Sequence, residues 1–355
     1  MPTAAPRPVP PPVDPVQKYA DDRLGVMTLD EKIASMLMVH VPGLDPAAIG
    51  GFAAAYGLGG VILMRDNIPD PASTLAGWAP LMAGEAGLPA LIATDQEGGV
   101  VQRIPDGGPS AAELRYADPS ASRAAFADRA AMLSADGVSV NFGIVADVTG
   151  DPASFMSSRV LGADAAAASP RVAAAVRGEN GRVFSTLKHF PGHGETTGDS
   201  HSSVPQSDVD LGGWRARDAP SFQAGIDAGA ELVMFGHLAY TPVDAQPASL
   251  SATWHSVLRD ELGFTGVTVT DDMGMLEASG IPEYANPDEN AIRAVAAGND
   301  LLLYVTPGDV DAMIAAVVGA VESGRIDAAI IDDAVTRDLE LRRELWLRQH
   351  PELSF

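Results

Sequence analysis

The chain has 355 residues, 46% hydrophobic and 20% charged, a composition that allows a globular protein with a large core. Its 23 basic and 47 acidic residues give a formal net charge of −24, which argues against a nucleic-acid-binding protein and fits a solvated acidic surface. There are no cysteines, which excludes thiol catalysis, disulfide bonds and cysteine-ligated zinc, and no apolar run approaches the ~20 residues that span a membrane.

The first 15 residues (MPTAAPRPVPPPVDP) hold seven of the 27 prolines, with a lone Arg7 and no apolar segment. This composition predicts an extended, disordered arm and not a signal peptide. The arm is either a tail or the spacer left after removal of a leader, so a cytoplasmic and an exported location both stay open. Residues 16–355 show no second domain boundary and are predicted to form one catalytic domain.

From residue 28 onward, short apolar runs alternate with helical patterns. The sequence Thr28-Leu29-Asp30-Glu31 is a capping box that predicts the start of a helix. Alanine-rich amphipathic patterns predict further helices at 121–135, 219–228 and 289–297, and a last helix at 327–349 is predicted to pack outside the sheet. Eight apolar runs predict buried strands, at 36–41, 60–64, 90–94, 138–145, 183–187, 231–235, 266–270 and 301–305. Eight short strands alternating with helices favour a single closed (β/α)8 TIM barrel over an open doubly wound sheet.

Polar residues follow several of these strands. Asp95, Lys188, His189, His237 and Asp271 each lie at or just after the carboxyl end of a predicted strand. Barrel enzymes build their active sites on that face. The alignment across separate elements therefore predicts a catalytic site and not a set of unrelated structural ion pairs.

Residues 188–201 (KHFPGHGETTGDSH) concentrate reactive side chains, with one of the three lysines and three of the seven histidines. The run ends at Asp199 and His201, spaced two residues apart in a segment rich in glycine and threonine. In a loop, this spacing lets the carboxylate orient the imidazole and stabilise its charged form. His201 with Asp199 is therefore a candidate general acid/base.

The individual residues leave alternatives open. Asp95, beside the pair Gly98-Gly99, could bind ligand hydroxyls or be a structural carboxylate in a turn. Asp271, first of two adjacent aspartates, could be a nucleophile or a helix cap, and alternation along a strand lets at most one of the pair enter a pocket. Lys188 is a candidate donor to a ligand oxygen or a surface lysine, and Arg159 could bind hydroxyl or carboxylate oxygens.

A zinc site is the alternative chemistry for the same loop. His189, His193, His201 and Asp199 could together ligate zinc, but their irregular spacing matches no recognised ligand pattern. His193, between glycines, could equally be a hydrogen-bond partner that shapes the loop. No metal or other cofactor is predicted.

Three motifs, KHFPGHGETTGDSH, TDQEGGVVQR and GVTVTDDMG, resemble glycoside hydrolase family 3, specifically its single-domain β-N-acetylglucosaminidase (β-hexosaminidase) branch. MTLDEKIASML and GLGGVILMRDNI are also similar to that family, and the resemblance covers residues 24–347. It implies that Asp271 is the nucleophile and His201 the general acid/base, with Asp199 as its partner. It also implies a group of sugar-binding residues: Asp95, Arg103, Arg159, Lys188 and His189. Larger members of the family carry a second domain with a glutamate acid; because the resemblance covers the barrel alone, His201 and not such a glutamate is expected to act here.

The implied activity is retaining, exo-acting hydrolysis of terminal β-linked N-acetylglucosamine from muropeptides or chitin-type oligosaccharides, by a monomer. Phosphorolysis stays open, because an imidazole in place of a second carboxylate would not repel phosphate. A β-glucosidase or β-xylosidase on the same barrel and a non-catalytic glycan-binding module are further alternatives. The glycines at 192, 194 and 198 predict a mobile loop, so that His201 could lie far from Asp271 in the empty enzyme.

Overall fold

The structure, a computed structural model, describes residues 14–194, 196 and 198–353. Residues 1–13, most of the predicted arm, lie outside the described residues, as do 195, 197, 354 and 355. The first helix begins at Pro15, and the side chain of Asp14 accepts a hydrogen bond from the backbone of Val16 at its start. No helix in the described part is long and apolar enough to cross a bilayer.

Eight parallel strands form one sheet that closes into a barrel. In chain order they are β1 (Leu37–Val39), β2 (Gly60–Ile62), β3 (Leu91–Thr94), β4 (Val140–Val145), β5 (Phe184–Phe190), β6 (Leu232–Phe235), β7 (Val267–Thr270) and β8 (Leu302–Tyr304). Strands β1 to β7 pair in chain order, each with the next, and β8 pairs with β1. A bridge between Val269 and Leu301 joins β7 to β8. The prediction of a (β/α)8 barrel is confirmed.

The helices lie between and outside the strands. In chain order they are α1 (Pro15–Leu24), α2 (Leu29–Ser35), α3 (Pro46–Tyr56), α4 (Ala79–Met82), α5 (Ala111–Leu114), α6 (Pro119–Ala135), α7 (Ala165–Glu179), α8 (Leu211–Arg217), α9 (Ala219–Asp227), α10 (Ala252–Ser256), α11 (Gly274–Ala278), α12 (Pro287–Ala297), α13 (Val310–Glu322) and α14 (Ala328–Gln349). The capping box at Thr28 is present, since Thr28 and Glu31 bond each other's backbone N–H groups. Three short two-stranded sheets, Gly84–Glu85 with Leu88–Pro89, Gln96–Gly98 with Val101–Gln102, and Gln206–Ser207 with Ala239–Tyr240, decorate the loops.

The interior of the barrel is filled by alternate residues of the strands, as the two-residue period of a strand requires. One buried cluster contains the inward-pointing side chains of all eight strands, for example Leu91 and Ala93 on β3 and Val267 and Val269 on β7. The intervening residues, such as Ile92, pack in a separate cluster with the helices. Inward-pointing and outward-pointing side chains alternate along each strand. This alternation therefore decides which residue just beyond the end of the strand faces the barrel mouth.

The last helix covers the amino-terminal end of the barrel. Leu341 and Leu345 of α14 belong to the interior cluster, and Arg342 donates to the carbonyl oxygens of Leu88 and Pro89, just before β3. The helix lies outside the sheet, as predicted, but it closes the base. The opposite end, where the strands finish, is left for a binding site.

Candidate active site

A cavity of about 490 Å³ opens at the carboxyl ends of the strands. Seven of the eight predicted site residues line it: Asp95, Arg103, Arg159, Lys188, His189, His201 and Asp271. The eighth, Asp199, contacts His201. A larger groove of about 840 Å³ lies at the base of the barrel, where Glu231, Glu340 and Glu344 line it and none of the predicted residues does. The chemistry is therefore concentrated at the mouth.

Asp271 enters the cavity because of its position relative to β7. Val267 and Val269 point into the barrel, so residue 271 continues the same face. Burial alone would raise the pKa of Asp271, but electrostatic interactions with His189 and His237 and the hydrogen bond from the Asp272 N–H outweigh it and hold the pKa below its usual range. An ionised carboxylate at this depth can act as a nucleophile.

The adjacent carboxylate, Asp272, has a local structural role. Its Oδ1 accepts hydrogen bonds from the backbone N–H groups of Gly274 (3.2 Å) and Val305 (2.9 Å). These bonds fix the turn into α11 and tie it to the end of β8. Both aspartates line the cavity, so the expectation that at most one of them would enter the pocket is wrong; they differ in that Asp272 Oδ1 is occupied by these two backbone N–H groups.

Lys188 is almost fully buried and pairs with two acids. Its Nζ lies 3.0 Å from Asp95 Oδ1 and 2.7 Å from Glu97 Oε1. Burial acts to lower the pKa of Lys188, but these two carboxylates raise it above its usual value, so the ammonium stays charged. The alternative of a surface lysine is excluded by this burial.

Two arginines complete the polar floor. Arg103 Nη2 donates to Asp95 Oδ2 at 2.7 Å, and Arg159 forms a bidentate pair with Glu97 at 2.6 and 2.9 Å. Burial acts to raise the pKa values of Asp95 and Glu97, yet Lys188 and the arginines lower both below the ordinary range. The result is a row of alternating fixed charges whose unused donor and acceptor positions can bind sugar hydroxyls.

His189 is held by a carboxylate that sequence reasoning did not single out. Asp147, fully buried just after β4, accepts from His189 Nδ1 (2.8 Å) and from the backbone N–H groups of His189 and His193. Because Nδ1–H donates, His189 Nε2 is free to accept from Arg159 Nη2 at 3.3 Å. Strand β5 extends to Phe190, so Lys188 and His189 lie within the strand and not after it. The peptide bonds Lys188–His189 and Phe190–Pro191 are cis.

The loop after β5 carries the predicted acid/base pair. His201 Nδ1 lies 2.6 Å from Asp199 Oδ1, and the His201 N–H donates to the same oxygen at 3.0 Å. The carboxylate accepts, so Nδ1 carries hydrogen and Nε2 is the nitrogen left for proton transfer. Burial raises the pKa of Asp199, but its bonds to His201 outweigh this and lower it. His201 lines the same cavity as Asp271.

The geometry does not favour the zinc alternative. His193 Nε2 bonds Ser200 Oγ at 3.0 Å and its Nδ1 bonds Thr196 Oγ1 at 2.9 Å, which supports the loop-shaping interpretation. His189 is turned to Asp147, and His201 to Asp199. Within residues 14–194, 196 and 198–353 there is no group of three or more histidine or acidic side chains able to hold a metal ion.

Sequence reasoning missed several residues of the site: Glu97, Asp147 and Phe155. Glu97 lies inside the motif that yielded Asp95, and Asp147 follows a predicted strand, as the other site residues do. His237, noted at the end of β6, does not line the cavity; its ring nitrogens bond Ser249 Oγ and the carbonyl oxygen of Asp272. Phe155, in the loop after β4, lines the cavity without any polar signature.

Comparison with known proteins finds matches over most of the chain. Residues 28–341 match the family model described as the glycosyl hydrolase family 3 N terminal domain. A beta-hexosaminidase of Stenotrophomonas maltophilia is 35% identical over 305 residues, covering 80% of this chain and 87% of that protein. A β-N-acetylhexosaminidase structure from Beutenbergia cavernae is similar with a TM-score of 0.77 and 30% identity, covering 89% of this chain and 98% of that one. A family 3 β-N-acetylglucosaminidase structure from Paenibacillus gives a TM-score of 0.81 and 31% identity, covering 90% of this chain and 63% of that one.

Proposed function

Since the chain belongs to glycosyl hydrolase family 3, we propose that it is a retaining exo-β-N-acetylglucosaminidase acting on terminal β-linked N-acetylglucosamine in cell-wall or chitin-type oligosaccharides. The observation that carries the proposal is one cavity that holds an ionised Asp271, directly after β7, and His201, which pairs with Asp199 on the loop after β5. Relatives at 30% identity or more that are named β-hexosaminidase or β-N-acetylhexosaminidase support the choice of sugar.

In the proposed mechanism, Asp271 attacks the anomeric carbon while His201 Nε2 gives a proton to the departing glycosidic oxygen. A covalent glycosyl-aspartate results. His201, now neutral, removes a proton from water, and the water displaces Asp271 with overall retention. Asp199 holds the imidazole tautomer and stabilises its charged form through both half-reactions.

The remaining charged residues bind the sugar. Asp95 presents acceptors to hydroxyl groups, and Arg103, Arg159 and Lys188 present donors, while the buried Glu97 holds Arg159 and Lys188 in place. Their mutual ion pairs hold each side chain in place before substrate arrives, so little conformational entropy is lost on binding. His189, fixed by Asp147, adds an imidazole at the same wall.

Replacement of the nucleophile tests the proposal. We expect Asp271→Asn to lower kcat on 4-nitrophenyl N-acetyl-β-glucosaminide by about a thousandfold or more, because the amide cannot form the intermediate. Asp30→Asn, at an exposed aspartate of α2, is the matched control and should keep full activity. Near-normal turnover by Asp271→Asn would overturn the mechanism, as would trapping a fluorosugar adduct on another side chain.

A substrate panel tests the sugar and the acceptor. N-acetylated aryl glycosides should be cleaved at least ten times faster than the corresponding glucosides and xylosides. Sugar 1-phosphate formed in phosphate buffer would identify a phosphorylase instead. Glycan binding without turnover would identify a non-catalytic module. Loss of activity with a strong chelator would support the zinc alternative.

A further inference from the structure

The imidazole of His201 has few contacts that fix its direction. Its side chain is 62% exposed, and its polar contact is with Asp199, two residues away on the same loop. Asp199 sets the tautomer but moves with the loop. A general acid must hold its nitrogen within hydrogen-bond distance of the leaving oxygen. A contact from outside the loop is therefore needed to orient the ring.

Phe155 supplies such a contact. Its ring lies 5.7 Å from the His201 ring at 72°, an edge-to-face arrangement, and 5.9 Å from the ring of His193 on the same loop. The guanidinium carbon of Arg159 also lies over this ring, 5.5 Å from its centre. Arg159 is itself fixed by its bidentate pair with Glu97. The chain of contacts runs from the rigid floor of the site to the loop.

The placement of Phe155 at the cavity fits a role in the reaction better than a role in the core. Its side chain is 39% exposed, which is unusual for phenylalanine, and it lines the cavity. Phe155 and Arg159 lie on the segment that follows β4. This segment is separate from the loop after β5 that carries His201. A phenylalanine there would contribute little to a hydrophobic core, but it can restrict where the imidazole lies.

We propose that Phe155 is a positioning residue that holds the imidazole of His201 in line with the leaving oxygen; this inference rests on the proposed function of His201. Edge-to-face aromatic pairs favour one relative orientation, so removal of the ring lets the imidazole leave that direction. Removal of the ring therefore slows proton donation from His201 to the leaving group. Binding of the sugar in the floor of the site is unaffected.

Leaving-group dependence separates this role from a general structural one. We expect Phe155→Ala to lower kcat/KM for an unactivated substrate, chitobiose, about three- to tenfold, the range of one aromatic pair. For 2,4-dinitrophenyl N-acetyl-β-glucosaminide, whose leaving group needs no proton, kcat/KM should change less than twofold. Phe155→Tyr should restore both values, and Tyr116→Ala, at an aromatic residue 81% exposed, should change neither.

Three results distinguish the possibilities. Equal losses on both substrates, or no loss on either, overturn the role of Phe155. His201→Ala, run in parallel, should show the same selectivity to a larger extent. If His201→Ala is selective and Phe155→Ala is not, the inference about Phe155 alone fails. If His201→Ala is not selective, the proposed acid/base role fails, and the role of Phe155 fails with it.

Discussion

Asp147 is a fully buried carboxylate that accepts three hydrogen bonds, from His189 Nδ1 and from two backbone N–H groups. Burial acts to raise the pKa of Asp147, yet electrostatic interactions and hydrogen bonds with His189 and His193 lower it below its ordinary value. The side chain thus joins the end of β5 to the start of the loop that carries Asp199 and His201. It holds His189 and His193 and is not among the residues that line the cavity.

Asp147→Asn tests that position. The amide nitrogen would face N–H donors, and loss of a hydrogen bond to a charged group costs about 1.5–3 kcal/mol. We expect kcat/KM to fall on the order of ten- to a hundredfold. Steady-state kinetics on an aryl N-acetylglucosaminide measure it, with Asp128→Asn at an exposed position of α6 as the control. A change below twofold would show that the histidines hold their places unaided.

At this scale, sequence reasoning found the residues that share a motif and missed those that act through space. Asp199 and His201 are two positions apart, so their pairing could be read from spacing, and the structure brings them to 2.6 Å. Glu97 and Arg159 are 62 residues apart, and only folding shows that they form a bidentate pair. A single carboxylate such as Asp147 has no local pattern that marks its partner.

Among the elements, α14 has the least expected position, because it closes the base of the barrel. Leu345 is 7% exposed and packs with the interior cluster, and Arg348 pairs with Glu231 just before β6. A helix in the outer ring would contact one or two strands from outside. This one seals the end opposite the active site.

Leu345→Ala should therefore reduce stability without changing catalysis. Truncating a buried leucine leaves a cavity and costs about 2–4 kcal/mol in the free energy of unfolding. Denaturant titration should show that loss, while KM on an aryl glycoside stays within twofold, since the site lies at the other end. Leu81→Ala, at a leucine 53% exposed, is the control and should cost less than about 0.5 kcal/mol. A raised KM would contradict the separation of the two ends.

The eight strands and several of the helices could be predicted from periodicity and capping, but their ends could not. All eight apolar runs are strands, and the helix predicted from residue 121 is present as α6, beginning earlier at Pro119 because Asp118 accepts a hydrogen bond from the Ser120 N–H at its start. Strand β5 continues through Phe190, where polar Lys188 and His189 end the apolar pattern but not the strand. Where the apolar pattern ends before the strand does, tertiary contacts set the end of the strand. Here those contacts are the ion pairs of Lys188.

For the whole molecule, burial of Glu179 links stability to pH. Glu179 Oε1 accepts from Asn141 Nδ2, and burial raises the pKa of Glu179 to about 8 against the lowering effect of that bond. The folded state therefore binds a proton that the unfolded chain has already released. The stability that this proton gives is complete below about pH 4.5 and is lost as the pH rises through 8.

Glu179→Gln should remove that dependence. In the wild type, the term lowers the free energy of unfolding by up to about 1.4 kcal/mol per pH unit between pH 4.5 and 8, and the uncharged amide cannot titrate. Chemical denaturation at pH 5, 6.5 and 8 measures the difference. The stability of Glu179→Gln relative to wild type should rise steadily over this range. A constant difference would show that Glu179 does not take up a proton on folding.

The barrel as a whole could be predicted because eight short apolar runs with wide gaps leave few other arrangements. Closure could not be read from any local pattern, since it depends on pairing between β1 and β8, which begin 265 residues apart. The spacing of residues in the sequence does not predict which sugar is bound. The proposed sugar comes from the family resemblance, since the cavity that would receive its acetamido group is formed by residues from distant parts of the chain.

In the proposed mechanism, the histidine and aspartate that transfer protons lie together on one loop, while the nucleophilic carboxylate directly follows strand β7. Exchange of that loop between barrels of this shape would move His201 and Asp199 together and leave the nucleophile of the recipient unchanged. The exchanged loop would need counterparts of Phe155 and Asp147 in the recipient, because these two residues contact it from outside.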